Sequence, residues 1–328
     1  MSWDIDRTIG GRATVRDVLF DAEHRLTAVG VPSPNVDAAE IVAFAMGTTR
    51  NRLFLQDPVD AEHRVRIEKM LTKRLSRVPL QHLIGTVGFR RIELAVGPGV
   101  FIPRPETELV AEAALRELNL QTEDERLGVD LCTGSGAIAI SMAIEAPGST
   151  VYAVELSDEA LTWTGMNVTS HAERIAGAGS RVEILKDDAT QVGDPGHELS
   201  SLVGRAAVVV SNPPYVPLDM IPREPEVRDH EPKLALYGGD DGLDVVRGIL
   251  RTAAILLKPG GLLVIEHSDM QGNEAGLRGV PGVTRAMVAD YEVASMANVP
   301  SGQRLWTSIN DRIDLTGRPR FMLARRIA

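Results

Sequence analysis

The segment Asn212-Pro213-Pro214-Tyr215 has the residue types in this chain that best fit a chemical step. It follows an apolar, β-branched run at 206–210 that predicts a central strand. Two consecutive prolines fix the backbone and remove two N–H donors. The acceptors that remain are the side-chain carbonyl of Asn212 and the backbone carbonyl of Pro213. Two acceptors suit the two hydrogens of an –NH2 group on a planar carbon.

Such a pair of acceptors favours methyl transfer to the nitrogen. An amide or aromatic amino nitrogen is a weak nucleophile because its lone pair is delocalised, and two hydrogen bonds orient it and stabilise the cation that forms. Tyr215 offers a flat face to the substrate and a π cloud to a sulfonium, worth on the order of 1 kcal/mol. A simple Pro-Pro turn is the alternative, which the position after a strand disfavours. The segment therefore predicts a methyltransferase that uses S-adenosylmethionine, with Asn212, Pro213 and Tyr215 as catalytic residues.

A glycine loop follows the first strand of an alternating region. Gly134 and Gly136 allow close approach of the backbone, and the helix beyond them begins with unpaired N–H groups. A dinucleotide would also fit, because Ala139 stands where a third glycine is often found and dinucleotide folds tolerate alanine there. Asp130 would repel a diphosphate. It is expected either to face the methionine end of the cofactor or to bond backbone N–H groups that shape the loop.

Two further acidic residues end the next two strands. Glu155 lies 19 positions after Gly136, at the spacing typical of a carboxylate that accepts hydrogen bonds from both ribose hydroxyls. Asp188, or the amide beside it, is expected to bind the adenine edge, with a solvated loop as the alternative. The single cysteine, Cys132, is assigned to the wall of the loop and not to catalysis.

The elements that position these residues can be predicted from periodicity. Up to about residue 84, apolar residues at helical spacing predict a small helical bundle, with Thr14 as the first N-cap and with Pro32 and Pro34 keeping the first helix ended. Alternation from Phe89 to Ile102 predicts a β-hairpin whose turn is Gly97-Pro98-Gly99. Beyond it, strands alternate with helices. The predicted fold class is α/β: a Rossmann-like domain with a mainly parallel sheet, a small N-terminal helical bundle and a β-hairpin linker.

Composition limits the partners and the compartment. The net charge of −10 disfavours broad contact with a phosphate backbone. One cysteine permits no intrachain disulfide, and the seven histidines show no metal-ligand spacing, so no metal is expected. The start of the chain lacks a signal-peptide pattern, and no apolar run is long enough to span a bilayer. We therefore expect a cytoplasmic protein that contacts neither membrane nor nucleic acid directly.

The chain resembles the HemK/PrmC family of protein-(glutamine-N5) methyltransferases, which act on peptide chain release factors. The resemblance covers nearly the whole chain. It rests on six segments: Pro79 to Gly85, Phe101 to Glu108, Asp130 to Ala139, Ser211 to Val216, Glu231 to Leu243, and Glu266-His267.

The resemblance implies that the substrate is the glutamine of a Gly-Gly-Gln tripeptide. Asn212 and Pro213 would hold its amide beside Pro214, Tyr215 would stack on it, and Phe101 would wall the pocket. The cofactor site implied in this way comprises Asp130, Cys132, Thr133, Gly134, Ser135, Gly136, Glu155, Asp188, Ala189 and Asn212. Two positions depart from the family pattern. Cys132 stands where glycine is frequent, which is expected to matter little, and Ala189 stands where some members carry an aromatic residue beside adenine.

Three alternatives remain open. A glutamine methyltransferase of a ribosomal protein shares the tetrapeptide, although the segment from Phe101 to Glu108 favours the release-factor type. An adenine-N6 DNA methyltransferase would need a basic DNA-reading segment. A fold retained only for binding would usually have lost Asn212 or the glycines. We expect a monomer with three parts: a substrate-recognition domain at 1–84, a hairpin linker at 85–106 and a methyltransferase domain at 107–328.

Overall fold

The structure is a computed structural model that describes residues 13–271 and 304–327. Residues 1–12, in which no signal peptide was expected, lie outside the described residues. The chain divides into two compact units. One contains the described residues up to Thr86 together with Pro222–His230, and the other contains Val87–Ile221 and the chain from Glu231 onwards. Within the described ranges, no helix has the length and apolarity needed to cross a bilayer.

The first unit is helical, as predicted. Thr14 caps the first helix through a reciprocal pair of bonds, in which its hydroxyl accepts from the Asp17 amide and the Asp17 carboxylate accepts from the Thr14 amide, each at 3.2 Å. The first helix ends at Ala28, before Pro32 and Pro34, and Pro34 is the first residue of the next helix, where its missing N–H costs nothing. The helices are α1 (Val15–Ala28), α2 (Pro34–Ala45), α3 (Ala61–Leu75) and α4 (Leu80–Ile84).

The hairpin consists of β1 (Thr86–Phe89) and β2 (Ile92–Ala95). Its turn is Arg90-Arg91, with Arg90 at φ +51°. The prediction of a turn at Gly97-Pro98-Gly99 was therefore wrong. Gly97 serves a close approach instead, because a Cβ there would lie 2.6 Å from the Trp163 ring. Trp163 packs beside this segment and donates from its indole nitrogen to the Pro98 carbonyl at 3.1 Å.

The second unit is built on a seven-stranded sheet of order β5-β4-β3-β6-β7-β9-β8. The first five strands in that order are parallel, which agrees with the predicted mainly parallel sheet, and β9 and β8 add an antiparallel edge. The strands are β3 (Leu127–Leu131), β4 (Thr150–Glu155), β5 (Arg181–Lys186), β6 (Ala206–Ser211), β7 (Leu257–Glu266), β8 (Trp306–Ile313) and β9 (Pro319–Arg326).

Helices cover both faces of this sheet. In chain order, the remaining helices are α5 (Thr107–Asn119), α6 (Ala137–Glu145), α7 (Asp158–Ser170), α8 (Ala172–Gly177), α9 (Pro225–His230), α10 (Lys233–Leu236) and α11 (Asp244–Leu256), of which all but α9 belong to the second unit. Every residue of β6 is buried, and from Val208 to Val210 its side chains alternate between two apolar cores. Val209 faces the core that contains α11, whereas Val208 and Val210 face the core that contains α5 and α6. The predicted fold class is confirmed.

One short segment from the second half of the chain belongs to the first unit. Helix α9 belongs to the first unit although it lies between β6 and β7 in the chain. Its Glu226 carboxylate accepts from Arg77 at 2.6 and 2.8 Å and pairs with Arg74 at 2.8 Å. The predicted division into the consecutive stretches 1–84, 85–106 and 107–328 therefore does not show that 222–230 belongs to the first unit.

Candidate active site

The order in which the strands follow one another in the sheet changes direction at β3. This change brings the loops after β3 and its neighbouring strands close together. From β3 the chain proceeds outward to β4 and β5, and it then returns to β6 on the other side of β3. Leu131 pairs with Ser211 on β6 and with Val154 on β4, so all three strands end at one edge. Open α/β sheets bind ligands in the crevice at such a reversal. The sequence-predicted loops after β3, β4, β5 and β6 thus share one edge of the sheet.

The glycine loop after β3 is shaped largely by Asp130. One carboxylate oxygen, Oδ2, accepts from the Thr133 hydroxyl at 2.6 Å and from the Ala139 amide at 3.1 Å. Gly136 caps α6 at φ +83°, and a Cβ there would lie 3.2 Å from Thr164. Gly134 has φ +58° and open space where a Cβ would be. The loop-shaping role left open for Asp130 is therefore present in the structure.

Asp130 has a second feature, which suits a ligand. Its other oxygen, Oδ1, is buried and has no hydrogen-bond partner among the described residues. Burial raises the pKa of this carboxyl to about 7, although the bonds from Thr133 and Ala139 oppose the rise. An unpartnered buried acceptor beside a glycine loop fits an ammonium group such as that of a methionine moiety.

The two acidic residues predicted to hold the nucleoside are engaged with their own loops. The Glu155 carboxylate accepts from the amides of Gly134, Leu156 and Ser157, each at 2.9 Å. Asp188 accepts from the amide of Thr190 at 2.8 Å and from its hydroxyl at 2.7 Å. A carboxylate has about four acceptor positions, so each retains capacity for a ligand. Their predicted contacts with ribose and adenine stay predictions.

Cys132 differs from its predicted role in one respect. Its φ of +62° lies in the left-handed region that favours glycine. Cysteine at this position therefore carries backbone strain that glycine would not. Burial and the nearby Glu155 carboxylate raise the pKa of the thiol, so it stays protonated and is not a nucleophile.

The Asn212-Pro213-Pro214-Tyr215 loop begins where β6 ends. The Asn212 amide nitrogen donates to the Thr107 hydroxyl at 3.2 Å, which leaves its carbonyl oxygen available as an acceptor. Pro213 and Pro214 are buried and Tyr215 is partly buried. Burial raises the pKa of Tyr215, so its ring remains a neutral phenol.

A second glycine segment, at 238–242, packs against this loop and bonds to it. The sequence pattern alone does not indicate that role. The Val216 amide donates to the Leu236 carbonyl at 2.8 Å, and the Gly238 amide donates to the Val216 carbonyl at 3.0 Å. A Cβ at Gly238 would lie 2.5 Å from the Pro214 carbonyl oxygen, and one at Gly242 would lie 2.3 Å from that of Tyr215.

Phe101 lies before α5, and its ring packs against a charged neighbour. The Arg104 guanidinium lies 4.8 Å from the centre of the ring, and Arg104 also pairs with buried Glu231. Such stacking fixes the plane of the ring. The wall that Phe101 was expected to form for the substrate pocket stays a prediction.

Comparisons with known proteins bear on what this site does. Residues 17–85 match the model of the PrmC N-terminal domain. A release factor glutamine methyltransferase of Streptomyces coelicolor is 42% identical over 93% of this chain and 95% of its own length. That of Mycolicibacterium smegmatis is 39% identical over 96% and 98%. This chain belongs to the release factor glutamine methyltransferase family.

Membership of the release factor glutamine methyltransferase family confirms the predicted enzyme, a protein-glutamine methyltransferase that uses S-adenosylmethionine. Among solved structures, the T. thermophilus 16S rRNA N2 G1207 methyltransferase in complex with AdoMet and guanosine shares 17% identity, with a TM-score of 0.45 over 74% of this chain and 49% of that one. A similarity of that extent supports no inference about this chain.

In this family member, three site residues were not singled out for a role in the sequence. Thr107 and Glu266 lie within segments that carry the family resemblance, but no pattern in the sequence predicts a role for either. Gln271 donates to the Tyr215 carbonyl at 3.0 Å. Each acts across a long sequence separation, for example 105 positions between Thr107 and Asn212, and no local pattern encodes such a contact.

Proposed function

We propose that this protein methylates the side-chain N5 nitrogen of the glutamine in the Gly-Gly-Gln motif of peptide chain release factors. The observation that carries the proposal is the Asn212 amide, whose nitrogen is held by Thr107 while its carbonyl oxygen stays available. With the Pro213 carbonyl, it supplies two acceptors for the two hydrogens of a glutamine amide.

These two acceptors would do most of the catalytic work. S-adenosylmethionine, when bound, supplies an electrophilic methyl group on a sulfonium. The carbonyls of Asn212 and Pro213 orient the glutamine nitrogen toward that methyl group and stabilise the positive charge that develops on it. The neutral ring of Tyr215 offers a face to the planar amide. No strong base is needed, because the nitrogen becomes acidic only as the methyl group arrives.

The cofactor would lie along the edge formed by the loops after β3, β4 and β5. Thr133, Gly134, Ser135 and Gly136 form its backbone cradle, and Cys132 and Ala189 its wall. The unpartnered oxygen of Asp130 would face the ammonium group of the methionine moiety. Glu155 and Asp188 would use their remaining acceptor positions for ribose and adenine.

The proposed substrate is a protein and not a nucleic acid. The relatives at 37–42% identity are named as release factor glutamine methyltransferases, which favours release factors over ribosomal proteins and adenine. The first unit also exposes large apolar side chains, with Phe20, Phe54 and Leu55 at least 65% exposed. Such side chains suit a protein-binding surface. We accordingly propose residues 1–84 as the substrate-recognition domain, 85–106 as the linker and 107–328 as the methyltransferase domain of a cytoplasmic monomer.

Mass spectrometry tests the proposal directly. Purified release factor, a ribosomal protein extract and adenine-containing DNA would each be incubated with the enzyme and isotopically labelled S-adenosylmethionine. We expect label on the glutamine of Gly-Gly-Gln. Label only on a ribosomal protein or on adenine would overturn the assignment.

The role of Asn212 gives a second test. Asn212→Ala should lower kcat by at least about 100-fold, because an acceptor aimed at developing charge is lost. Cofactor affinity, measured by calorimetry, should change by less than about 3-fold. Asn310→Ala, on the edge strand β8, is the control and should leave both quantities unchanged. An equal loss of turnover and cofactor affinity in Asn212→Ala would contradict its assignment to the substrate amide.

A further inference from the structure

The hydrogen bond between Asn212 and Thr107 joins the catalytic loop to the start of α5. Thr107 is the first residue of that helix, and only 4% of its surface is exposed. Its hydroxyl oxygen accepts from the Asn212 amide nitrogen at 3.2 Å. A hydroxyl has a single proton, so Thr107 must donate that proton to another group.

Glu266 is the acceptor that we infer for that proton, because it is buried and lies at the same end of the sheet as Asn212. Ser211 pairs with Ile265 across β6 and β7, so Glu266 follows on β7 at the level where Asn212 follows on β6. Glu266 is 1% exposed. Burial raises the pKa of its carboxyl to about 7, and a hydrogen bond with Thr107 lowers it. The bond with Thr107 therefore favours the ionised form of Glu266.

The direction of this chain of hydrogen bonds decides which end of the Asn212 amide faces the substrate. Thr107 accepts from the Asn212 nitrogen, so its single proton is the one that it can donate to Glu266. The opposite direction would consume the Asn212 carbonyl oxygen, which the reaction needs. We propose that Thr107 and Glu266 are positioning residues that hold the Asn212 carbonyl oxygen toward the reacting nitrogen; this inference rests on the proposed function.

The charges around Glu266 are compatible with this role. Arg320 on β9 and Arg104 before α5 face it as cations, whereas Glu106 faces it as an anion. The two cations lower the pKa of Glu266 and Glu106 raises it. One Glu266 oxygen, Oε2, is buried and has no hydrogen-bond partner among the described residues, so the carboxylate keeps a free acceptor beside the bond from Thr107.

Three variants of the full-length enzyme test the chain of bonds. Thr107→Val removes the hydroxyl at nearly constant shape, Thr107→Ser restores it, and Glu266→Gln replaces an obligate acceptor with a group that also donates. Thr252→Val is the matched control, because Thr252 is a fully buried threonine of α11 whose hydroxyl has no hydrogen-bond partner among the described residues.

We expect Thr107→Val to lower kcat by about 10- to 100-fold, since misplacement of a catalytic group has that order of effect. The cofactor Kd of Thr107→Val should stay within about 3-fold of the wild-type value. Thr107→Ser should recover most of the lost kcat, and the kcat of Glu266→Gln should lie between those of Thr107→Val and Thr107→Ser. Wild-type kcat in Thr107→Val, or no recovery in Thr107→Ser, would overturn the proposal.

A measurement without substrate separates this inference from the proposed function. In 15N-labelled protein, the side-chain amide signal of Asn212 is identified by its loss in Asn212→Ala. One of its two protons should exchange slowly with water in wild type, Thr107→Ser and Thr252→Val, and rapidly in Thr107→Val. Equal exchange in wild type and Thr107→Val would sink the positioning role, whereas failure of the wild type to methylate Gly-Gly-Gln would sink only the proposed function.

Discussion

The backbone of Cys132 carries a conformational cost at the start of the cofactor loop. Its φ of +62° brings Cβ close to the following carbonyl oxygen, which costs an L-residue about 1–2 kcal/mol. Glycine lacks the Cβ and avoids this cost. The cysteine side chain packs against the apolar core that contains α11, which offsets part of the strain. The residue is therefore tolerated through packing and not through backbone preference.

Alanine variants are usually more stable than glycine variants at a helical position, and the strain at Cys132 predicts the opposite order of stability there. Cys132→Gly should unfold at a free energy about 1 kcal/mol higher than Cys132→Ala, because only glycine relieves the left-handed φ. The exposed helical position Lys69 is the control, where the alanine variant should be the more stable by a similar amount. Chemical denaturation of the four variants measures both differences. The same order at both positions would refute the strain.

At the scale of elements, the catalytic loop is supported by a neighbouring glycine segment and not by its own prolines alone. Two backbone bonds join the stretch at 236–238 to Val216, and Gly239 accepts from the Leu218 amide at 3.0 Å. Gly238 and Gly242 let the two backbone segments approach so closely that no side chain fits between them. The carbonyl oxygens of Pro214 and Tyr215 therefore lie where this segment places them.

Gly242→Ala should accordingly lower kcat by more than the strain of a left-handed alanine alone would. A Cβ would lie 2.3 Å from the Tyr215 carbonyl oxygen, so the loop must shift, and we expect kcat to fall at least about 10-fold. Gly260→Ala is a close control, because Gly260 has the same φ of +77° and open space around its Cβ position. Steady-state kinetics of both variants tests this. Equal kcat values would contradict a positioning role for the segment.

At the scale of the whole molecule, two buried carboxyls link stability to pH. Burial raises the pKa of Asp130 and of Glu266 to about 7 each, from ordinary values near 4. A raised pKa means that the folded state binds protons more tightly than the unfolded state. This contribution to stability is fully present below about pH 4 and is lost as the pH rises to about 7.

The free energy of unfolding should therefore fall between pH 5 and pH 8, and Asp130→Asn should reduce that fall. Relative to wild type, the variant should gain about 2 to 3 kcal/mol over this range, because one buried charge is no longer formed. Denaturant titrations at both pH values measure the gain. Asp124→Asn, at an exposed position, should show none. A constant difference between wild type and Asp130→Asn would contradict the link.

The sequence by itself determined the α/β architecture and the edge of the sheet that carries the site. Apolar runs and helical spacing are local signals, and the carboxyl ends of parallel strands meet at one edge, so the sequence alone predicts that the loops at 130–136 and 212–215 share that edge. The nature of the acceptors in the second loop followed from its two prolines.

Only the tertiary structure decided how those loops are held. The partnership of Thr107 and Glu266 with Asn212, the support of Tyr215 by Gly242, and the role of Gly97 against Trp163 all join segments distant in the chain. Such contacts depend on how whole elements pack, and no periodicity or spacing within one element encodes them. The strain at Cys132 has the same origin, because the fold fixes a backbone angle that the residue type disfavours.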